Sequence, residues 1–164
     1  MIETPRLLLR PMTEADAEAA FVWLSDPEVN RYMPYPLYTE VEAARKWLAA
    51  LKPDCGEFGF VRKEDGVLIG AGSISEEDGA WELGYNLRRD CWGQGYATEA
   101  ARALIDWART EHGATRFTAA HVTRNAASGN VLRKCGFKFV RYGQYGRYDG
   151  SEMFDASFYE LTIE

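Results

Sequence analysis

The sequence predicts an α+β domain, a three-layer α/β arrangement in which helices flank a mixed, mostly antiparallel sheet. Three observations carry this. Strand-like and helix-like patterns alternate along the whole chain with no linker or repeat between them. Asp65-Gly66 joins two apolar runs and is the strongest short hairpin signal present. A third strand-like run, Ala80 to Leu87, continues that meander into a glycine loop and a long alanine-rich helix. At 164 residues and 46% hydrophobic, the chain can bury one sizeable core, so residues 1–164 are expected to form one domain.

The elements follow in order. Arg6 to Met12 reads as a first strand, and Thr13 as the cap of a helix to about Leu24, with Ala17, Ala20, Phe21 and Leu24 at helical spacing. Asp26-Pro27 starts a short helix or turn before the aromatic, Pro-rich segment Tyr32 to Tyr38. Thr39 and Glu42 read as a capping box for a helix to about Leu51. Strands near Gly56 to Lys63, Val67 to Ile74 and Ala80 to Leu87 precede a helix from Gly95 to about His112. A strand from Arg116 to Val122, a helix capped near Asn125 and ended by Gly136, and two terminal strands complete the pattern.

The loop Cys91-Trp92-Gly93-Gln94-Gly95-Tyr96-Ala97 carries the most functional information. Gly93, Gly95 and Ala97 keep side-chain bulk away, so backbone N–H groups can converge on an anion at a helix start. Free donors and a partial positive charge favour a multiply charged ligand such as pyrophosphate. No Gly-Lys-Ser or Gly-Lys-Thr triplet follows, which excludes a nucleotide-hydrolase loop. The antiparallel-looking run before the loop argues against a dinucleotide-binding βαβ unit.

The loop stands in an ordered set of motifs. Glu82-Leu83-Gly84-Tyr85-Asn86-Leu87, Trp92 to Ala100, Asn125-Ala126-Ala127-Ser128 and Leu132-Arg133-Lys134-Cys135-Gly136-Phe137 together closely resemble the GNAT superfamily of acyl-CoA-dependent N-acetyltransferases. Within it the chain is similar to the RimJ/RimL-like branch, named for acetylation of ribosomal-protein N-termini. The resemblance runs from Thr4-Pro5-Arg6-Leu7 to Asp155 and Tyr159-Glu160-Leu161. It implies a GNAT fold whose sheet splays into a V, with acetyl-CoA held there and attacked directly by a primary amine in a ternary complex. Tyr85, Asn86 and Leu87 would pair with the pantetheine arm as an added strand would, beside Trp92, Gly93, Gln94, Gly95, Tyr96, Ala97, Thr98 and Asn125. The thioester carbonyl would lie by the Asn86 or Leu87 backbone, where an N–H stabilises an oxyanion.

Glu82, in an otherwise apolar strand run, is the first candidate for the base, with an outward-facing strand carboxylate as the alternative. Many GNAT enzymes have a tyrosine before the Gly-Phe pair, where this chain has Leu132; Ser128, in the Asn-x-x-Ser motif, is the other donor for the leaving sulfur. Tyr32, Met33, Tyr35 and Trp81, with Tyr145 and Tyr148 opposite, are expected as walls for the acceptor. The acceptor itself, a protein N-terminus or a small amine such as an amino acid, polyamine or antibiotic, is left to variable loops. A non-catalytic acyl-CoA-binding or sensor protein is the alternative, supported by the missing tyrosine.

Bulk properties agree. The 25 acidic against 19 basic residues, net charge -6, argue against nucleic-acid binding and suit a cationic acceptor. Cys55, Cys91 and Cys135 lack metal or disulfide spacing, so reduced thiols in a cytoplasm are expected, with no metal. No membrane association is expected, and the chain acts alone or as a homodimer. His121 reads as a buried, hydrogen-bonded histidine, and a covalent route through Cys91 is not needed for direct transfer.

Overall fold

Pro11 has no N–H to give a sheet, and it ends the first long strand early. In the computed structural model, which describes every residue from Met1 to Glu164, that strand covers Leu7–Arg10 rather than Arg6 to Met12. It is β2, because a short strand β1 (Ile2–Glu3), not anticipated from the sequence, pairs with it antiparallel. A tight 3-10 turn over Glu14–Asp16 separates Thr13 from the first helix, α1 (Ala17–Leu24). The Asp16 carboxylate accepts from the Thr13 N–H at 2.9 Å and from Arg10 at 2.9 Å, which fixes the turn. Asp26-Pro27 starts only a turn: buried Asn30 donates its side-chain amide to the carbonyls of Trp23 and Leu24, closing α1 there.

The expected Thr39/Glu42 capping box is absent. The helix α2 (Val41–Ala50) has Glu40 at its N-cap, and the Glu42 carboxylate binds Arg45 at 2.9 Å instead. Three antiparallel strands follow, β3 (Glu57–Arg62), β4 (Val67–Glu77) and β5 (Ala80–Leu87). Arg62 and Val67 are the last pair around Asp65-Gly66, so that turn is a longer loop. The two-residue turn is Asp78-Gly79, where φ is +53° and +81°, both left-handed as a type I′ turn requires. Beyond β5 come α3 (Tyr96–His112), β6 (Arg116–Val122), α4 (Ala126–Lys134), β7 (Lys138–Gly146) and β8 (Met153–Thr162).

The strands form one eight-stranded sheet in the order β1-β2-β3-β4-β5-β6-β8-β7, antiparallel except for β5 and β6. Helices cover both faces. Leu104, Ala100 and Phe117 belong to the larger core, which packs α3 and α4 on one face; Trp23, Leu48 and Leu68 belong to a second core under α1 and α2. The parallel pair is registered only at Trp81↔Phe117 and Glu82↔Thr118. Past Glu82 the strands part into a V, and a cavity of about 980 Å³ fills it from one face of the sheet to the other. No helix is long and apolar enough to cross a membrane.

Candidate active site

The V is a sheet interrupted at its centre, and its polar backbone is specific to alternate residues. Arg88 N–H bonds to Ile69 C=O on β4, and antiparallel ladders alternate. Asn86 and Gly84 therefore turn their backbone groups to β4, while Leu83, Tyr85 and Leu87 turn theirs into the V. The Leu87 carbonyl is already used: it accepts from the Trp92 indole N–H at 3.1 Å. This corrects the expectation for Asn86. Its backbone belongs to the β4 ladder, and its side-chain amide reaches the other face to donate to the Tyr35 hydroxyl.

The loop after β5 turns on two left-handed glycines at the start of α3. Gly95 is the N-cap of α3 at φ +82° and Gly93 stands at φ +74°, both in the left-handed region that favours glycine. Nothing lies within 4 Å of a Cβ added at Gly93, so that side is open to a ligand. The loop is anchored from the other end of the chain. The Glu99 carboxylate accepts from Thr4 Oγ1 at 2.6 Å, from the Arg6 N–H at 2.9 Å and from Arg6 Nε at 2.8 Å. Arg6 also donates to the Gln94 carbonyl at 2.8 Å and lies 4.2 Å above the Tyr96 ring. The Thr4-Pro5-Arg6-Leu7 motif thus holds the loop in shape. Gln94 donates to the Asp90 carbonyl at 3.2 Å, Tyr96 and Ala97 pack into the larger core, and Thr98 borders a shallow depression beside Arg6 and Glu99 outside the V. Arg88 and Arg89 are paired with Asp90 and Asp26.

Across the V, α4 faces Tyr85. The Asn125 side chain caps α4 by accepting from the Ser128 N–H at 3.4 Å. The Tyr85 hydroxyl donates to the Ser128 carbonyl at 3.2 Å and shares a hydrogen bond with Ser128 Oγ at 3.0 Å. Burial pushes the Tyr85 phenol up to about 12, which keeps it protonated at neutral pH. Sequence reading missed this partnership of the Tyr85 and Ser128 hydroxyls across the V. Leu132 itself is 1% exposed and packs in the larger core.

On the α1–α2 side of the sheet, Tyr32, Met33, Tyr35, Tyr145 and Tyr148 line the cavity as expected. Trp81 does not. Odd residues of β5 point to the other face, and Trp81 packs there against Trp107 (6.5 Å between ring centroids) and His112 (5.1 Å). Glu82 borders the cavity at the closed end of the V and is solvent-exposed. A half-buried carboxylate here is Glu57, at the start of β3 opposite Ser73, where its local sequence pattern does not single it out. Burial pushes its pKa up to about 7. His121 is buried, with Nδ1 bonded to the Val122 carbonyl at 2.7 Å and Nε2 to the Tyr159 hydroxyl at 3.2 Å, and burial lowers its pKa. No cluster of His, Cys, Asp or Glu is placed to hold a metal ion.

A ligand with a pyrophosphate and an amide-bearing arm fits these residues: the left-handed glycine loop leaves room for the first, and the backbone of Tyr85 and Leu83 is aimed at the second. Comparisons with known proteins give the family. Residues 6–138 match the family model described as an acetyltransferase (GNAT) domain. The uncharacterized N-acetyltransferase p20 of Bacillus licheniformis is 34% identical over 143 residues, 82% of this chain and 80% of that protein. A GNAT-family acetyltransferase structure from Bacillus anthracis superposes with a TM-score of 0.89 at 25% identity, covering 98% of this chain and 97% of that one. RimL, a ribosomal L7/L12 α-N-protein acetyltransferase solved with coenzyme A, shares the fold at a TM-score of 0.81 and 21% identity, covering 98% and 96%.

Proposed function

The chain belongs to the acetyltransferase (GNAT) family and is an N-acetyltransferase that draws on acetyl-CoA, and from that premise we propose how its own residues carry the transfer to a primary amine. Acetyl-CoA supplies the acetyl group as a thioester, activated toward amines. The loop from Gly93 to Ala97 binds the pyrophosphate through its backbone N–H groups and the start of α3. The Leu83 carbonyl and the Tyr85 backbone groups, which β6 leaves free, bind the pantetheine amides, which aligns the arm along the V. Tyr85 and Ser128 offer hydroxyl donors to the leaving sulfur from the α4 side. The amine enters from the opposite face, between the Tyr32 to Tyr35 segment and the β7–β8 hairpin.

Most of the rate comes from holding the two reactants together; well-oriented pairs gain up to ~7–11 kcal/mol in ideal cases. The observation that carries this reading is the cavity itself, which passes through the splay and joins the Ser128 side to the Tyr35 side. Thiol release from acetyl-CoA, measured with N-terminal peptides, free amino acids, polyamines and aminoglycosides, tests it. Release above hydrolysis with at least one acceptor is expected. Bound acetyl-CoA with no acceptor-dependent release would favour the non-catalytic acyl-CoA-binding alternative.

The anchor of the loop gives a second expectation. Arg6→Ala removes the guanidinium that ties Gln94 to Glu99, so coenzyme A affinity should fall roughly 5- to 20-fold, in line with the ~1–2 kcal/mol of charge-assisted bonds. Isothermal titration with coenzyme A checks it; unchanged affinity would mean that the loop keeps its shape unaided.

A further inference from the structure

The acceptor side of the cavity holds two carboxylates that the protein leaves without a partner, Glu57 and Glu82, and Glu57 is the more enclosed. Glu57 lines the cavity, yet no lysine, arginine or hydrogen-bond donor binds its side chain. The Tyr35 hydroxyl is close enough to feel the Glu57 charge, as it does Tyr38 and Tyr148, and Glu82, exposed on β5, lines the same cavity. Trp23 and Trp47, from α1 and α2, complete an aromatic wall. Even a half-buried carboxylate without a partner loses hydration that an incoming cation can replace. Aromatic faces beside it attract the same cation.

The cations near this side are engaged elsewhere. Arg147 donates to the carbonyls of Met33 at 3.1 Å and Arg31 at 3.0 Å and pairs with Glu152. Arg116 pairs with Glu160, and Arg141 lies flat over the Phe158 ring at 4.0 Å. A substrate carboxylate would therefore meet Glu57 without a partner of its own. The roof is tied down as well. Tyr145 donates its hydroxyl to the Tyr32 carbonyl at 2.9 Å, and the Tyr148 N–H donates to the Pro34 carbonyl at 2.8 Å. With the two Arg147 bonds, these lash the hairpin to the 31–38 segment and fix the wall of the acceptor side.

Resting on the acetyl-transfer reading, we propose that the acceptor is a small primary amine with an apolar or aromatic body and no carboxylate, and that Glu57 receives its ammonium group and takes its proton. Glu57 removes one proton from the ammonium. The neutral nitrogen then bonds to the acyl carbon as the carbon–sulfur bond breaks, its second proton ends on sulfur, and Glu57 returns the first to solvent. A carboxyl that titrates near neutrality suits this exchange, since it can both accept and release a proton there.

The test compares kcat/KM for 2-phenylethylamine, L-phenylalanine and a hexapeptide amide beginning with phenylalanine, in wild type and Glu57→Gln across pH. Expected is a preference for 2-phenylethylamine of at least ~10-fold over both others, and a rate that rises with pH through about 7. Glu57→Gln should lower kcat roughly 10²-fold and flatten that rise, with Glu57→Asp retaining part of it. A readout independent of activity accompanies it. The folded-state pKa is raised, so the charged form weakens the fold increasingly from about pH 4.5 to about pH 7, and Glu57→Gln should raise the melting temperature above pH 7 and match wild type below pH 4.5. Preference for the peptide or for phenylalanine, or a pH limb lost in Glu82→Gln instead, overturns the inference and leaves acetyl transfer standing. No transfer to any acceptor of the wider amine panel overturns both.

Discussion

Gly95→Val raises the dissociation constant for coenzyme A at least ~100-fold, about 2.7 kcal/mol, while the protein stays folded. Gly95 sits at φ +82°, a conformation that a β-branched residue adopts only under strain, and it is the residue from which α3 starts. A Cβ there meets Arg6 Nη2 at 3.3 Å, so the added side chain presses on the guanidinium that also holds the Gln94 carbonyl. The loop must rotate, and the N–H groups aimed at the pyrophosphate turn with it. The position is exposed and outside both cores, so the loss should not spread to global stability. Calorimetry on the folded variant measures it, and an unchanged dissociation constant would remove the phosphate assignment.

Ser128→Ala lowers turnover roughly 10²-fold with the Michaelis constant for acetyl-CoA within about threefold of wild type. The hydroxyl sits 3.0 Å from the Tyr85 hydroxyl on the α4 side of the V, where a leaving sulfur needs a donor. An interaction that strengthens as thiolate charge develops acts on kcat and leaves ground-state binding alone. A coenzyme A thiolate is a fair leaving group, which keeps the effect at the lower end of general-acid contributions of ~10²–10⁴. Tyr85→Phe should cost a similar factor, and the double variant much less than the product, because the two hydroxyls act as one unit. Equal turnover in Ser128→Ala and wild type would mean that solvent supplies the proton and that Ser128 serves the cap of α4. Leu132 lines the cavity from α4, so Leu132→Tyr should restore part of the turnover lost in Ser128→Ala if its phenol reaches the sulfur.

Much of this architecture was legible in the chain because it rests on local rules. Ala80 to Leu87 and Arg116 to Val122 are apolar runs bounded by turn residues, and both became strands with those limits. The glycine loop announced itself by composition alone. Errors cluster where a distant partner decides. Thr39 lost the cap of α2 to Glu40, and Glu42 spent its carboxylate on Arg45. Trp81 and Asn86 differ by an odd number of residues and so lie on opposite faces, but only the packed sheet reveals which face meets which helices. Glu57 was invisible for a related reason: it looks like a polar residue opening an apolar strand, and the cavity that it lines is completed by Tyr35 and Tyr148, neither adjacent in sequence.

Initial rates measured while acetyl-CoA and a productive amine are varied together bear most directly on transfer in a ternary complex through the V. Lines that intersect in double-reciprocal form, with acetylated amine appearing in step with free thiol, are the expected result. Parallel lines, together with an acetyl group trapped on the protein, would contradict direct attack and point to a covalent route. Cys91, the cysteine nearest the loop, is 1% exposed with its thiol pKa pushed up by burial, and is poorly placed to provide one.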